Sequence, residues 1–167
     1  MKLNFSPSTT TSAMKQQNKK NKNKTNISLL LLTHNEEGSL LKNFDWLAKC
    51  PNINEIVVVD DYSTDKSLET IKSVAKNISL KIKSRGLDRN FAAQRQFGAK
   101  QATNDWILWL DPDEKPSKKL VRFLNHFDGH KHAYSFKRKE KFLGKISWIL
   151  CLSIITFILE WGFSFTI

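Results

Sequence analysis

The chain has 167 residues, with 27 Lys and Arg against 16 Asp and Glu, giving a formal net charge of +11. That length suits one domain around one core and argues against two. Cys50 precedes a proline and Cys151 lies in an apolar stretch, so neither a zinc-ligand spacing nor a disulfide framework is present, and a reducing cytoplasm fits.

Residues 1–26 hold six lysines and no acid among Asn, Thr, Ser and Gln. Such a segment cannot bury enough apolar surface to order itself, and it reads as a disordered basic tail. It lacks the continuous apolar core of a secretory signal. Without interleaved aromatics or a repeated arginine spacing, its charge predicts no specific nucleic-acid binding.

Ile27 to Leu32 (ISLLLL) is a continuous apolar run that predicts a buried strand, followed by the polar loop Thr33-His34-Asn35-Glu36-Glu37. Leu40, Leu41, Phe44 and Leu47 recur at helical spacing until Cys50-Pro51 ends the pattern. Ile56 to Asp61 (IVVVDD) predicts the second strand, and Asp65 can cap a helix with Leu68, Ile71, Val74 and Ala75 on its apolar face. Leu80 and Ile82 alternate with polar neighbours as in a strand with one wet face. A helix over Asn90–Ala102 would place Phe91, Arg95, Gly98 and Ala102 near one face. The strand WILWL (106–110) comes next, and Pro116 suits the first turn of a helix carrying Leu120, Phe123, Leu124 and Phe127. This βαβαβαβα order predicts a mostly parallel α/β sheet covered by helices.

Two strand ends carry the chemistry. Asp60-Asp61 follows three valines, and Asp111-Pro112-Asp113 follows WILWL, so both acidic pairs should reach the carboxyl edge of the sheet, where open α/β folds bind ligands. A helix-capping turn accounts for one such pair; two together favour a site. The proline between Asp111 and Asp113 fixes the backbone, which can hold both carboxylates around one hard cation, Mg²⁺ or Mn²⁺. Neither GxxxxGK[ST] nor a GxGxxG after the first strand is present, which removes most support for P-loop and Rossmann dehydrogenase readings.

Four strings in order, LLTHNEE, EIVVVDDYSTDKS, FAAQRQFGAKQATNDWILWLDPDE and FKRKEKFLGK, resemble family 2 glycosyltransferases of the lipopolysaccharide-core glucosyltransferase-like branch. The resemblance covers roughly residues 27 to 145. It implies a GT-A (nucleotide-diphospho-sugar transferase) fold, a nucleotide-sugar donor and inversion at the anomeric carbon. By position it puts Thr33, Asn35 and Glu36 in the loop that meets the nucleotide, Asp60 or Asp61 on the base or ribose, Arg95 facing the donor diphosphate, and Asp111 and Asp113 on the metal. A divalent ion on Asp113, with Arg95, would then stabilise the charge that grows on the leaving phosphate. Gln96 stands where the family usually has Asn, and Pro112 replaces the usual small residue of the DxD. A glycan or lipid-linked acceptor of the cell envelope is implied, with the protein in the cytoplasm or at the cytoplasmic face of the inner membrane.

After about residue 145 the resemblance stops, which would leave the fold incomplete at its C-terminus and no group to serve as the acceptor base. Three readings compete for Ile146–Ile167. As a helix it would span about 33 Å, enough for a membrane contact with the basic cluster Lys137, Arg138, Lys139, Lys141 and Lys145 on the cytoplasmic side. Alternatively it is the product of a frameshift or truncation, or a buried strand or helix that completes the domain. The domain division is thus a tail (1–26), a nucleotide-sugar-binding domain (27–145) and an apolar end (146–167). The competing function is a non-catalytic nucleotide-sugar-binding or membrane-tethered protein.

Two smaller signals read as structural. His126, His130 and His132 flank Asp128-Gly129 with no cysteine nearby, so a surface turn is expected rather than zinc. Trp106 and Trp109, three apart in a strand, should point to opposite faces, at least one of them for packing rather than as a sugar platform.

Overall fold

The computed structural model describes residues 25–129, 133–142, 145–151 and 153–157, with side chains as far as Phe136. Within them the expected tail 1–26 is represented by residues 25 and 26 alone, and His130 and His132 lie outside. The elements are β1 (Ile27–Thr33), α1 (Glu37–Asn43), a 3₁₀ turn (Leu47–Lys49), β2 (Ile53–Asp60), α2 (Ser67–Ala75), β3 (Ser79–Ser84), α3 (Phe91–Ala99), β4 (Trp106–Trp109) and α4 (Lys118–Asn125). Strands β5 (Ala133–Phe142), β6 (Lys145–Cys151) and β7 (Ser153–Phe157) follow. They build one seven-stranded sheet in the order β3-β2-β1-β4-β7-β5-β6.

β3, β2, β1 and β4 pair in parallel, and the remaining pairings are antiparallel. Each βαβ unit steps outward from β1 to β2 to β3; the chain then returns to put β4 on the other side of β1. The strand order therefore reverses at β1, and the crevice beyond its carboxyl end is where such sheets hold ligands.

Period-two alternation splits the strands between two cores. Leu29, Leu31, Ile56, Val58, Trp106, Leu108 and Leu110 face one side with Leu40, Ile71, Ala75 and Leu124 of α1, α2 and α4. Leu30, Val57, Val59 and Ile107 face the other, under Phe97 and Ala99 of α3 together with Trp109. The two tryptophans thus lie on opposite faces, as their spacing predicts. Gly98 lets α3 sit close: a Cβ there would lie 2.4 Å from Leu30 Cδ1 and 2.8 Å from Val59 Cγ2. Phe123, Phe127, Tyr134 and Trp106 stack in tilted and edge-on contacts, Trp106–Phe127 at 4.8 Å, and seat α4 and the start of β5 on the first core.

Several expected boundaries shift. The first helix ends at Asn43 rather than Cys50, and Leu41 is 64% exposed because Leu40, Phe44 and Leu47 already form the inward stripe. α3 runs over Phe91–Ala99, shorter than expected, and buries Gln94 and Gly98 rather than Phe91. Pro116 lies just before α4 rather than in its first turn, and Ser117 is the cap: its hydroxyl accepts from the Leu120 amide at 3.2 Å.

Over the described part of 146–167 the expected membrane helix is replaced by strands. Residues 145–151 and 153–157 are strands, in keeping with their β-branched and aromatic content, and among the described residues no helix is long and apolar enough to cross a membrane. The first half of β5 pairs with β7, Phe136 with Ser153, and its second half with β6, Lys137 with Leu150. β7 joins this hairpin to β4 through Trp106↔Phe157 and Ile107↔Thr156. The sheet therefore runs on past residue 145.

Candidate functional site

Parallel register brings Thr33, Asp60 and Ser84 to one row at the carboxyl edge. Thr33, the last residue of β1, is only 3% exposed, and its hydroxyl has no hydrogen-bond partner among the described residues. An orphaned buried hydroxyl at a ligand crevice is one that a bound group can satisfy. The next residue, His34, is exposed, with Nδ1 2.6 Å from the Asp61 carbonyl oxygen, a contact that makes this nitrogen the donor.

Asn35 organises the loop around it. Its backbone is left-handed (φ 55°), and its Oδ1 accepts from the Thr64 amide at 2.8 Å and the Asp65 amide at 3.3 Å. Its own amide donates to Ser63 Oγ at 3.0 Å. The Glu36 amide donates to Ser67 Oγ at 2.7 Å, and the Glu37 amide to Asp65 Oδ2 at 3.1 Å, so the first turn of α1 is lashed to the loop after β2. Hydrogen bonds, first that from the Ser67 hydroxyl, hold the Asp65 carboxyl below its ordinary range.

The two aspartates after β2 do different work. Asp60 is buried and accepts from the amide and hydroxyl of Ser63, closing a tight loop. Asp61 is half-buried, and its Oδ1 accepts from the Leu87 amide at 3.0 Å, which ties this loop to the one after β3. Tyr62 follows with φ 53° and a ring 64% exposed, lying against Gly86. Below them the Arg85 guanidinium donates to Gln94 Oε1 and lies 5.6 Å from the Phe97 ring centroid, while Gln94 Nε2 donates to the Arg85 carbonyl at 2.6 Å.

Across β1, Arg95 of α3 reaches the other acidic pair. Its guanidinium lies 3.6 Å from Asp111 Oδ1 and 6.0 Å from the Trp109 ring centroid. Asp111 keeps 42% of its side chain exposed and Arg95 27%, so solvent screens this pair. The loop is closed on itself, with the Asp111 amide donating to Glu114 Oε2 at 3.1 Å and the Glu114 amide to the Asp111 carbonyl at 2.9 Å. Pro112 is buried and Asp113 exposed. Asn43 Nδ2 donates to the Pro112 carbonyl at 3.2 Å, and Lys115 pairs with Asp45 at 2.9 Å, fastening the loop to the end of α1.

The carboxylates at this loop are those of Asp111, Asp113 and Glu114, the last accepting from the Asp111 amide. Among the described residues no cluster of three or more His, Cys, Asp or Glu could hold a metal ion. A closed protein cage is absent there, and two carboxylates suit Mg²⁺ or Mn²⁺, ions that fill their shells with substrate phosphate and water. His126 stands apart, its Nδ1 2.9 Å from the Arg122 carbonyl at the end of α4.

All eight residues expected at the site lie at the carboxyl edge, on both sides of the switch point. Sequence reasoning missed the residues that hold them: Ser63, Ser67, Arg85, Gln94 and Asn43. Gln94 and Gly98 stand four apart in α3, a spacing from which their shared buried face could have been read.

The family model for glycosyl transferase family 2 matches residues 28–161. This chain belongs to glycosyl transferase family 2. Among curated proteins it is 32% identical over 108 residues to the undecaprenyl-phosphate 4-deoxy-4-formamido-L-arabinose transferase of Pectobacterium carotovorum, covering 60% of this chain and 33% of that protein. An uncharacterised glycosyltransferase of Rickettsia typhi is 27% identical over 116 residues, covering 66% of this chain and 37% of the relative. The crystal structure of residues 1–349 of Staphylococcus aureus TarS superposes with a TM-score of 0.56 at 25% identity, over 65% of this chain and 34% of that one. TarS is named a poly(ribitol-phosphate) β-N-acetylglucosaminyltransferase and has been solved with UDP and with UDP-GlcNAc. A mannosyltransferase from Pyrobaculum calidifontis, in complex with GDP-Man and Mn²⁺, shares the fold with a TM-score of 0.53 at 21% identity, over 67% of this chain and 35% of that one. The fold of this family 2 chain is thus GT-A, and it spans about a third of the length of these relatives.

Proposed function

We propose that this family 2 domain binds a nucleoside-diphosphate sugar in the crevice around the carboxyl end of β1, with Mg²⁺ or Mn²⁺ on Asp111 and Asp113. The observation that carries this reading is the convergence of the Asp60–Asp61 loop and the Arg95–Asp111 pair on either side of the switch point. Thr33, Asn35, Glu36, Asp60 and Asp61 take the nucleoside end, and the unpartnered Thr33 hydroxyl supports contact there. Arg95 faces the diphosphate.

The reaction is transfer of the sugar to an acceptor oxygen of a cell-envelope glycan or lipid, with inversion. The bond from the anomeric carbon to the leaving diphosphate breaks as the acceptor oxygen bonds to that carbon from the opposite face. Negative charge then grows on the departing phosphate, and Arg95, held over Trp109 by Asp111, is placed to stabilise it. A divalent ion, when bound, supplies the rest of that charge stabilisation as a Lewis acid. The acceptor proton requires a base on the far side of the sugar, a role that none of these eight residues takes. Two of the relatives carry envelope acceptors in their names, undecaprenyl phosphate and poly(ribitol phosphate), which supports the acceptor class.

Calorimetric titration of the full chain with UDP-GlcNAc and with GDP-mannose, each with and without Mn²⁺, tests the donor site. Binding should require Mn²⁺ and should weaken by about a hundredfold or more in Asp111→Ala/Asp113→Ala. Equal binding by wild type and the double variant would sink the reading. Donor binding without transfer to any envelope lipid extract would favour a nucleotide-sugar-binding role instead.

A further inference from the structure

Asn43 is the last residue of α1, 8% exposed, and its side-chain amide crosses 69 positions of sequence to donate to the Pro112 carbonyl at 3.2 Å. A buried asparagine is an expensive choice at the end of an amphipathic helix unless its amide is used. Here it meets the one backbone hydrogen-bonding group that Pro112 possesses, since proline has no amide hydrogen.

The consequence follows from counting torsions between the two acids. Asp111 and Asp113 are separated by a single residue. The pyrrolidine ring fixes φ of Pro112, and its flanking peptide bonds are trans, since the described chain has no cis peptide. The freedom left between the two Cα atoms is ψ of Asp111, ψ of Pro112 and φ of Asp113, and ψ of Pro112 swings the Pro112–Asp113 peptide and with it the Asp113 side chain. A hydrogen bond to the carbonyl of that peptide restrains this torsion. On the other flank the Asp111 amide and carbonyl are both held by Glu114.

We infer that Asn43 is a positioning residue for the acidic pair: its hydrogen bond to the Pro112 carbonyl restrains the backbone that sets how Asp111 and Asp113 present their carboxylates to a divalent cation. This rests on the donor-site reading above. The same helix is bound at its other end to the loop after β2, through the Glu36 and Glu37 amides. α1 therefore braces the nucleoside loop and the acidic loop against each other, with Asn43 as the contact at the acidic end.

The test is Mn²⁺ binding to the full chain, followed by electron paramagnetic resonance, in wild type, Asp113→Ala and Asn43→Leu, the last keeping the side-chain bulk and removing the donor. Asp113→Ala should abolish binding, and Asn43→Leu should weaken it about tenfold, the range expected for one buried hydrogen bond. In metal-free Asn43→Leu, amide exchange should speed up at Asp113 to Lys115 and stay unchanged at Thr103, on the far edge of the sheet; a merely structural role would speed both. If Asp113→Ala binds Mn²⁺ like wild type, the metal reading itself fails. If Asp113→Ala loses the ion and Asn43→Leu keeps wild-type affinity, this inference alone is overturned. A second readout needs no substitution: Mg²⁺ titrated into the wild-type chain should shift the Asn43 side-chain amide resonances with the same midpoint as the Asp113 amide. A shift at Asp113 with none at Asn43 would also overturn it.

Discussion

Glu55 at the amino edge of the parallel sheet and the Asp111–Asp113 pair at its carboxyl edge use their carboxylates in opposite ways. At the amino edge Glu55, 2% exposed, is surrounded: Lys81 Nζ at 2.7 Å, the Thr103 amide and hydroxyl at 2.8 Å each, and the Ser28 hydroxyl all donate to it. Asn104 extends the network to Ser28 and Asn54. Together these contacts join β1, β2 and β3 to one another and to the loop between α3 and β4. At the carboxyl edge Asp113 is exposed and Asp111 partly so, on a loop whose bonds restrain the backbone. A carboxylate enclosed by donors serves the fold; one whose backbone is restrained while its side chain stays exposed can serve a ligand.

Substitutions can break this division, and the largest effect is expected at the carboxyl edge. Arg95→Ala should weaken donor binding by roughly ten- to a hundredfold, read by calorimetry, with little change in melting temperature, because its ion pair is screened by solvent. Glu55→Leu should do the reverse. It removes the carboxylate that Lys81, Thr103 and Ser28 donate to; with Lys81 one-third exposed and still bonded to the Gln101 carbonyl, the loss should be about 2 kcal/mol in urea unfolding, with donor affinity per folded molecule unchanged.

The same group sets an acid limb. Burial would raise the Glu55 carboxyl, but hydrogen bonds from Lys81, Ser28 and Thr103 outweigh it and hold the group below its ordinary value of 4.5. Its stabilisation is therefore complete above the unfolded value and drains away as pH falls through the lower folded one. Glu55→Gln should flatten that part of the stability–pH curve.

Gly98→Ala sharpens the comparison, since α3 carries Arg95 toward one edge and feeds the Thr103 loop at the other. The added methyl meets Leu30 and Val59, so a loss of about 1–3 kcal/mol in unfolding free energy is expected, with a smaller fall in donor affinity. The smallest effect concerns Cys50, away from the donor crevice. Burial pushes its thiol up to about 11, so at pH 8 it should resist a thiol reagent until the chain unfolds.

Much of this was legible in the sequence because it rests on periodicity. Continuous apolar runs ending in IVVVDD and WILWLDPDE place acids at a sheet edge whatever the details, and Trp106 and Trp109 take opposite faces by alternation alone. What escaped depends on contacts between distant segments. Nothing local says that Asn43 meets Pro112 or that Gln94 meets Arg85, and Glu55 reads as an ordinary exposed position until β1, β2 and β3 are aligned. Residues 145–157 were ambiguous for another reason: an apolar run fits a strand or a membrane helix equally, and only pairing with β4 and β5 decides.

The most direct measurement is a map of backbone amide shifts when UDP and Mg²⁺ are added to the full chain. Thr33 to Glu36, Asp60, Asp61, Arg95 and Asp111 to Glu114 should move together with one midpoint, while Ser28, Glu55, Thr103 and Asn104 stay still. Shifts confined to the amino edge, or none at the acidic loop, would contradict the assignment of the carboxyl edge as the donor site.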